Sequence, residues 1–494
     1  MSLINISNLT FAYEGTYDNI YEDVSFQIDT DWKLGFTGRN GRGKTTFLNL
    51  LLGKYEYDGT ISASVSFEYF PYKVQNKEAD TIEVINSIYS EYQPWELNRE
   101  LSLMEVADDV LYRPYKTLSN GEQTKVLLTI LFLKKNSFLL IDEPTNHLDI
   151  EARETVSKYL NGKKGYILVS HDRAFLDNCV DHILSINKTN IEIQKGNFST
   201  WWENKQLQDS YEIAQNEKLK RDINRLSAAA KRTNEWSERV EKTKLGTLNS
   251  GVKPDKGHIG HQAAKMMKRS KVIEARQYSA IEEKSQLLKN IEEAESLKIT
   301  QQKYHSKRLI SMENVSIYYG EKIVCKDINF SIEQGDRIAL LGRNGSGKSS
   351  IIKLIFGEDI KYSGSFYKGN QVLISYVPQD TSFLKGDLSS YAHENRIDES
   401  LFKAILRKLD FSRVQFEKDM SEFSAGQKKK VLIARSLCEK AHLHIWDEPL
   451  NYIDVFSRIQ IEELLLSYKP NLFFVEHDKT FCNNISNKTV IISR

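Results

Sequence analysis

The stretch Leu34-Gly-Phe-Thr-Gly38-Arg-Asn-Gly41-Arg-Gly43-Lys44-Thr45-Thr46 decides the fold of this 494-residue chain. An apolar strand leads into a glycine-rich loop, and the loop leads into the helical run Phe47-Leu-Asn-Leu-Leu-Leu. The pattern G-x-x-x-x-G-K-[ST] in that context predicts a phosphate-binding P-loop, because glycine backbone wraps an anion and presents N–H groups and a helix N-terminus to it. Lys44 can reach the β- and γ-phosphates of a nucleotide, and the Thr45 hydroxyl can ligate Mg²⁺. A glycine-rich turn with an unrelated lysine is the structural alternative.

Two acidic residues and a histidine follow at the ends of predicted strands. The strand Ser137-Phe-Leu-Leu-Ile ends in Asp142-Glu143-Pro144, and the strand Gly165-Tyr-Ile-Leu-Val-Ser ends at His171. An aspartate there, beside a P-loop, suits Mg²⁺, and Glu143 is placed to orient and activate an attacking water. His171 could sense the γ-phosphate, although taken in isolation it would be read as structural. The segment Leu118-Ser-Asn-Gly-Glu-Gln123, called the signature below, lies between the P-loop and these strands.

The same motifs return in the same order in the second half of the chain. The second P-loop is Gly342-Arg-Asn-Gly-Ser-Gly347-Lys348-Ser349-Ser350. It is followed by Pro378-Gln379, by a second signature, Phe423-Ser424-Ala-Gly426-Gln427, and then by Asp447-Glu448 and His477. The first P-loop glycines, the signature serines, the aspartates and the histidines of the two copies lie 304, 305, 305 and 306 positions apart. This spacing predicts a tandem duplication.

Between the two copies the sequence predicts a long helical hairpin. Residues 201–245 and 261–305 contain neither Gly nor Pro, whereas the stretch 246–260 holds four glycines and Pro254. Because breakers gather where a chain reverses, we expect two antiparallel helices of roughly 60–70 Å each. Sixteen Lys/Arg and six Asp/Glu fall between Lys218 and Arg276, in a chain of net charge +1. We interpret the excess as a tip that faces a polyanion; a solvated helix surface is the plainer alternative.

Composition places the chain among soluble globular proteins of two or three domains. Charged residues make up 27% and apolar residues 40% of the sequence, which is ordinary for that class. Apolar runs such as Val126–Leu133 are too short to span a membrane. The four cysteines are scattered and form no CxxC pair, so reduced thiols and a cytoplasmic location are expected.

The P-loops, signatures, Asp-Glu pairs and histidines together resemble those of the ABC-type ATPases. Two cassettes on one chain, joined by a charged helical hairpin, resemble the ABC-F proteins that act on ribosomes. At finer grain, the opening SLINISNLTFAYEG and the first P-loop are similar to the Lsa-type antibiotic-resistance ribosome protection proteins. The resemblance implies an α/β fold: two tandem ABC-type P-loop ATPase domains separated by a long antiparallel α-helical hairpin. The implied domains are residues 1–200, the hairpin 201–305 with its tip at 242–268, and residues 306–494.

The resemblance also implies that the two cassettes of a monomer pair head to tail and enclose two ATP molecules with Mg²⁺. In the first site, built on the first P-loop, the implied ATP-binding residues are Tyr13, Gly38, Asn40, Gly41, Gly43, Lys44, Thr45, Thr46, Ser424 and Gly426. In the second site they are Tyr319, Gly342, Asn344, Gly345, Gly347, Lys348, Ser349, Ser350, Ser119 and Gly121. The implied Mg²⁺ ligands are Thr45, Asp142, Ser349, Gln379 and Asp447, and the implied catalytic residues are Glu143, Glu448, His171 and His477. The two tyrosines would stack on adenine; strand core residues are the alternative.

As for function, the resemblance implies an ATPase that binds the ribosome at the 23S rRNA near the peptidyl-transferase centre and at the P-site tRNA. It would protect the ribosome from lincosamides, streptogramin A compounds and pleuromutilins by inserting the hairpin tip. Basic residues of the tip would contact phosphates, which gives affinity with little sequence reading. These residues are Lys242, Lys244, Lys253, Lys256, Lys265, Lys268 and Arg269.

Some residues depart from the family pattern. Tyr72 stands where the second copy has Gln379, and Leu450 replaces Thr145, so the two sites are expected to differ in rate.

Three other functions stay open. A transporter motor would leave the hairpin unexplained. A chromosome-maintenance ATPase of the SMC or Rad50 type would carry its coiled coil within a cassette rather than between two. A housekeeping translation factor of the same family is the main rival.

Overall fold

A computed structural model describes residues 2–14, 19–146, 148–186, 191–242 and 302–492, together with the helical positions 261, 265, 268, 271, 272, 275 and 276. The chain divides into two compact units. One comprises Met1–Trp201 with Ser296–Arg494 and holds both cassettes; the other is Trp202–Glu295.

The first cassette alternates strands and helices as its motifs predict. Its strands are β1 (Leu3–Phe11), β2 (Tyr21–Asp29), β3 (Lys33–Thr37), β4 (Asp58–Ser62), β5 (Ser66–Phe70), β6 (Ser137–Asp142), β7 (Tyr166–Val169), β8 (His182–Ile186) and β9 (Ile191–Lys195). Its helices are α1 (Lys44–Leu51), α2 (Thr81–Ile88), α3 (Pro94–Leu103), α4 (Asn120–Leu133), α5 (Ile150–Asn161) and α6 (Arg173–Cys179).

The second cassette repeats this order. Its strands are β10 (Arg308–Tyr319), β11 (Lys322–Glu333), β12 (Arg337–Gly342), β13 (Lys361–Lys368), β14 (Ile374–Val377), β15 (Leu443–Asp447), β16 (Leu472–Val475) and β17 (Lys488–Ile492). Its helices are α8 (Lys348–Phe356), α9 (Leu388–Glu394), α10 (Glu399–Lys408), α11 (Ala425–Cys438), α12 (Val455–Tyr468) and α13 (Lys479–Ile485). The α/β class with two tandem P-loop domains is therefore confirmed.

Each cassette contains a large sheet whose central strands are parallel. In the first cassette the strand order is β5-β6-β7-β3-β8-β9, and in the second it is β14-β15-β16-β12-β17. Strands such as β7, with all four residues buried, are apolar throughout, and one face of these strands packs on α1 and the antiparallel strands β1 and β2. Three antiparallel strands form a second sheet in each cassette, β2-β1-β4 and β11-β10-β13.

The parallel strands decide where the functional residues meet. Strand β7 lies between β3 and β6, and Asp142 is in register with Val169, two residues before His171. In the second cassette Asp447 is in register with Val475 in the same way. Since the carboxyl ends of parallel strands open on one edge, the P-loop, the Asp-Glu pair and the histidine converge there.

The segment between the cassettes contains one long described helix, α7 (Phe198–Lys242). It begins three residues before the boundary predicted at 201, and residues 243–260, which include the predicted loop 246–260, lie outside the described residues. Residues 302–304 are not helical, and Tyr304 is already buried in the core of the second cassette. The second arm therefore ends before His305, earlier than the sequence predicts. Within the described part of the chain, no helix combines the length and apolarity needed to cross a membrane.

Candidate nucleotide-binding sites

The first P-loop folds over its own lysine. Gly41 and Gly43 have φ of +80° and +92°, and a side chain at Gly43 would collide with Ile20 and Tyr21. The Lys44 Nζ donates hydrogen bonds to the carbonyl oxygens of Gly38 at 2.6 Å and Arg39 at 3.2 Å. Burial lowers the pKa of Lys44, although carboxylates nearby act in the opposite direction.

The second P-loop has the same geometry. Gly345 and Gly347 have φ of +77° and +92°, and the Lys348 Nζ donates to the carbonyl oxygens of Gly342 at 2.8 Å and Arg343 at 3.0 Å. Burial also lowers the pKa of Lys348. Both loops therefore present an ammonium group at the start of a helix, which suits the phosphates of a nucleotide.

The strand-end aspartates provide oxygen atoms next to the P-loop hydroxyl groups. Thr45 Oγ1 donates to Asp142 Oδ2 at 3.2 Å, and Tyr69 donates to the same oxygen at 3.0 Å. Burial, followed by the charge of Glu448, raises the pKa of Asp447 to about 6, while a hydrogen bond from Ser349 acts against this. The buried Asp447 Oδ1 accepts no hydrogen bond from any described residue. A buried acceptor needs a donor or a cation, so this set of oxygens fits Mg²⁺ bound with a nucleotide.

Glu143 and Glu448 share an unusual backbone geometry. Both follow a strand directly and have positive φ, +50° and +47°. Their N–H groups donate to the carbonyl oxygens of Val169 and Val475, at 2.9 and 3.0 Å. A left-handed conformation is uncommon for glutamate and is often found at active sites. It turns the two carboxyl groups away from the strand direction at the same place in each cassette.

The surroundings of the two glutamates differ. His171 Nε2 lies 3.3 Å from Glu143 Oε1, yet that oxygen accepts no hydrogen bond from the described residues. Burial, then the charge of Asp142, raises the pKa of Glu143 to about 8. Burial also moves the pKa of His171 well below its usual range, and Lys44 adds to this shift. Burial thus disfavours the charged forms of both Glu143 and His171.

Glu448, in contrast, is held as a carboxylate. Gln379 Nε2 and Asn451 Nδ2 both donate to Glu448 Oε2, at 2.8 and 2.7 Å, and His477 Nε2 lies 3.7 Å from Oε1. Burial alone would raise the pKa of Glu448, but His477 and then Asn451 outweigh it and lower the pKa to about 2. In the first cassette Tyr72 stands at the position of Gln379, and its hydroxyl donates to Glu68 instead.

Each signature forms the start of a helix that can face an anion. Ser119 and Ser424 cap α4 and α11, and each accepts a hydrogen bond from the backbone N–H of the third helical residue. A side chain at Gly426 would collide with the carbonyl oxygen of Tyr452. Glycine is required there because the two chain segments pass so close to each other.

Each P-loop is in contact with the other cassette. Asn40, in the first P-loop, donates from Nδ2 to the carbonyl oxygen of Tyr452 in the second cassette at 3.0 Å. The backbone N–H of Asn344, in the second P-loop, donates to Asp149 Oδ2 in the first at 3.2 Å. That two ATP molecules are enclosed between the cassettes stays a prediction.

The two predicted adenine-stacking residues are not core residues. Tyr13 is 40% and Tyr319 is 48% exposed. Tyr13 also shares a hydrogen bond of 2.7 Å with the hydroxyl of Thr46, next to the first P-loop. The Tyr13 ring also packs edge-on against the rings of Phe11 and Tyr55, and adenine stacking stays a prediction for both tyrosines.

Two residues near the sites were missed in the sequence. Tyr69 donates to Asp142, and Asn451 donates to Glu448. Tyr69 has a counterpart in the repeat, Tyr376, at the same spacing before the proline of each copy. That recurrence is the signal that could have identified it.

Of the predicted RNA-binding residues, the structure describes three. Lys242 ends α7, and Lys265 and Lys268 are exposed helical positions. Lys244, Lys253, Lys256 and Arg269 lie outside the described residues.

The repeated fold and the paired P-loop sites define a protein with two ATP-binding cassettes. A family model described as "ABC transporter" matches residues 21–146 and 325–451, once in each cassette. Together the two matches cover half of the sequence, and the chain belongs to this family.

Curated relatives match nearly the whole chain. The ATP-binding protein Uup of Buchnera aphidicola subsp. Acyrthosiphon pisum is 28% identical, over 99% of this chain and 80% of Uup. The ribosome protection protein VmlR of Bacillus subtilis is 26% identical, over 99% of this chain and 87% of VmlR. The probable ATP-binding protein YheS of Escherichia coli K12 is 26% identical, over 93% of this chain and 74% of YheS. These similarities support the ABC-F group, while the Lsa-type subgroup stays a prediction.

Solved structures share the tandem fold. An archaeal ribosome recycling factor, aABCE1, in complex with the ribosomal stalk protein aP1, matches with a TM-score of 0.65 at 17% identity. The match covers 99% of this chain and 87% of that one. RNase-L Inhibitor matches with a TM-score of 0.63 at 17% identity, over 99% and 88% of the two chains. At this identity the likeness concerns the fold alone.

Proposed function

We propose that the chain is an ATP-hydrolysing ABC-F protein that acts on ribosomes in the cytoplasm. It would bind the 23S rRNA near the peptidyl-transferase centre and the P-site tRNA, and protect the ribosome from lincosamides, streptogramin A compounds and pleuromutilins. The observation that carries this proposal is the similarity to VmlR, a ribosome protection protein. It extends over 99% of this chain and so includes the segment between the cassettes.

Hydrolysis is supported by the arrangement of the second site. Lys348 and the N–H groups of the P-loop would hold the phosphates, and Asp447 and Ser349 would hold Mg²⁺. When bound, Mg²⁺ would neutralise the charge that develops on the phosphate oxygens. Glu448 is a carboxylate with one oxygen anchored by Gln379 and Asn451. Its other oxygen can orient a water and accept a proton from it.

The first site would work more slowly. Tyr72 stands at the position of Gln379 and turns to Glu68, so Glu143 lacks the amide donor that holds Glu448 in the second site. A glutamate whose carboxyl group is not held in place orients an attacking water less well. We therefore assign the faster turnover to the second site and a mainly structural ATP to the first.

ATP binding would control the hairpin through the cassettes. Closing the two composite sites brings the cassettes together, and the hairpin arms leave one cassette and enter the next. The basic tip residues, Lys242 to Arg269, would then engage RNA phosphates. Leu245, Leu248, Val252 and Ile259, within the predicted loop, would supply shape at its extreme.

The experiment is drug susceptibility with and without expression of the chain in a sensitive strain. Drugs of the three classes are compared with one that acts away from the peptidyl-transferase region. The double variant Glu143→Gln/Glu448→Gln is the matched control, because it should bind ATP without turnover and remain trapped on ribosomes. Selective protection by the unsubstituted chain alone is expected; equal susceptibility with and without the chain would refute the protective role.

A housekeeping role in translation is the second candidate, because Uup, at 28% identity, is named as an ATP-binding protein and not as a protection protein. It predicts that expression leaves drug susceptibility unchanged, whereas the double Gln variant still arrests growth by occupying ribosomes. Drug susceptibility and growth of the double Gln variant, measured in the same set of cultures, therefore distinguish the two candidate functions.

A further inference from the structure

A buried lysine lies beneath the second ATP site. Lys429, in α11, is 1% exposed. Its Nζ donates to the carbonyl oxygens of Pro378, at 2.8 Å, and Asp447, at 3.3 Å. Burying an ammonium group is costly unless its protons are satisfied, so these carbonyl groups are part of the reason it can be there.

The two carbonyl groups belong to the peptides that precede Gln379 and Glu448. The side chains of these two residues meet, with Gln379 Nε2 donating to Glu448 Oε2 at 2.8 Å. Lys429 therefore ties together the backbones of both partners: the loop after β14 and the end of β15. Displacing either backbone would separate the amide from the carboxylate.

A second buried group, Glu476, extends this network to His477. Glu476 is 3% exposed and accepts hydrogen bonds from the backbone N–H groups of Leu450, at 2.7 Å, and His477, at 2.9 Å. Its carboxylate, with those of Asp447, Glu448 and Asp380, surrounds Lys429 with negative charge. The lysine is thus balanced by carboxylates as well as held by carbonyl groups.

The first cassette has different residues at the positions of Lys429, Glu476 and Gln379. Thr124 stands in place of Lys429, five residues after the signature serine, and its hydroxyl donates to the carbonyl oxygen of Asn120 in its own helix at 2.9 Å. Ser170 stands in place of Glu476 and shares a hydrogen bond of 3.2 Å with Thr145. Tyr72, in place of Gln379, turns to Glu68.

We propose that Lys429 is a positioning residue of the second ATP site, which keeps Gln379 and Glu448 within hydrogen-bonding distance and so supports hydrolysis at that site only. The inference rests on the proposed ATP hydrolysis. It assigns the difference between the sites to a set of buried residues rather than to Tyr72 alone.

The test is steady-state ATP turnover of Lys429→Met in the full chain. Methionine keeps most of the side-chain volume and removes the charge and the donors. Because the surrounding carboxylates then lose their counter-charge, Lys429→Gln, which keeps a donor, is the second variant if Lys429→Met does not fold. In the Glu143→Gln background, where the second site dominates turnover, kcat should fall about tenfold or more. KM for ATP should change by less than about twofold, because no contact to the nucleotide is removed.

Three controls distinguish positioning from a general structural role. Thr124→Met, the matched change in the first cassette, should leave kcat unchanged, and Lys429→Gln, which keeps a donor, should retain more turnover than Lys429→Met. In the Glu448→Gln background, Lys429→Met should leave the residual turnover unchanged. Thermal unfolding of each variant checks that the fold is intact.

A double-mutant cycle with Gln379→Ala decides whether Lys429 acts through the glutamine. If it does, Lys429→Met should cost little further kcat once Gln379 is truncated. Additive losses, or unchanged kcat in the Glu143→Gln background, would overturn the inference while leaving ATP hydrolysis in place. No turnover in the unsubstituted chain would overturn the proposed function together with this inference.

Discussion

Glu143 and Glu448 show how two residues with the same backbone can have opposite chemistry. Both are turned by a positive φ and anchored to the neighbouring strand. Glu143 is buried without a hydrogen-bond donor for Oε1, which raises its pKa to about 8. Glu448 faces Gln379, Asn451 and His477 and has a pKa of about 2. The side chains around a catalytic glutamate, rather than its position, decide its protonation.

This difference predicts that the stability of one conservative variant of the nucleotide-free protein changes with pH relative to the unsubstituted chain, and that the stability of another does not. The pKa of Glu143 is raised from 4.5 to about 8. In this window the folded protein binds a proton that the unfolded chain does not, so stability falls as the pH rises. Glu143→Gln removes that loss and should gain roughly 1–3 kcal/mol over the unsubstituted chain between pH 5 and 8.

Glu448→Gln is the matched control. Its carboxylate stabilises the fold fully above pH 4.5, and that contribution is lost as the pH falls through about 2. The variant should therefore be less stable by a constant amount from pH 5 to 8. Thermal unfolding across this range measures both; parallel curves for Glu143→Gln and the unsubstituted chain would contradict the assignment.

The same residues predict unequal turnover in the single variants. Glu448→Gln should remove most ATP hydrolysis, about tenfold or more, because it silences the site whose glutamate is ionised and held. Glu143→Gln should retain the larger part. Steady-state phosphate release compares the two, and equal residual rates would show that Tyr72 in place of Gln379 does not slow the first site.

The sequence could predict which residues form the sites but not which side chains surround them. The P-loop lysines, the strand-end aspartates and Glu143 all follow from local motifs, because their spacing along the chain fixes their chemistry. Tyr69 and Lys429 do not, since their roles depend on contacts between residues 50 to 75 positions apart in sequence. The absence of a glutamine at Tyr72 was visible, but its turn towards Glu68 was not.

Among the elements, those that begin at a glycine-rich loop or at a capping serine could be predicted best. Strand β3, α1 and their repeats follow from the glycine-rich loop, and α4 and α11 begin at their signature serines. The end of the second hairpin arm was predicted wrongly. Residues up to His305 lack helix breakers, yet Tyr304 donates to the carbonyl oxygen of Asn370 at 2.6 Å and joins the core of the second cassette. Tertiary packing there overrides local propensity.

The basic end of the hairpin carries a prediction at the scale of elements. Replacing Lys265, Lys268 and Arg269 by Gln should weaken ribosome binding and reduce the dependence of log K on log salt by about two to three units, because fewer counterions are released. Co-sedimentation with ribosomes over a range of salt concentrations measures this slope. Replacing Lys205, which is in α7 before this basic stretch, together with the exposed Lys326 of β11 is the control; an equal loss there would mean that the tip is not the RNA contact.

At the scale of the molecule, the cassettes are joined unequally on their two sides. Arg173, in α6, forms an ion pair with Glu462 of the second cassette, and Asn484 also donates to Glu462 at 3.1 Å. Both charged side chains are largely buried. The corresponding residue of α13, Lys479, pairs with Glu154, and these two side chains are about half exposed. Ser157, Asn178 and Lys479 line a cavity of about 310 Å³ on that side.

This asymmetry predicts which of the two ion pairs contributes more to the free energy of unfolding. Arg173→Met leaves the Glu462 carboxylate buried without its cation and should cost about 3–5 kcal/mol. Lys479→Met breaks an exposed pair and should cost about 1 kcal/mol or less. Chemical denaturation compares the two variants. A similar small loss for both would show that the buried pair does not hold the cassettes together.

We propose that ATP-driven closure of the cassettes delivers the hairpin tip to the drug site of the ribosome. The most direct measurement is release of a radiolabelled lincosamide from purified ribosomes after addition of protein and ATP. The unsubstituted chain should release the drug. A variant with a short Gly-Ser turn in place of residues 246–260 should hydrolyse ATP at the normal rate and release none. Full release by that variant would contradict the account.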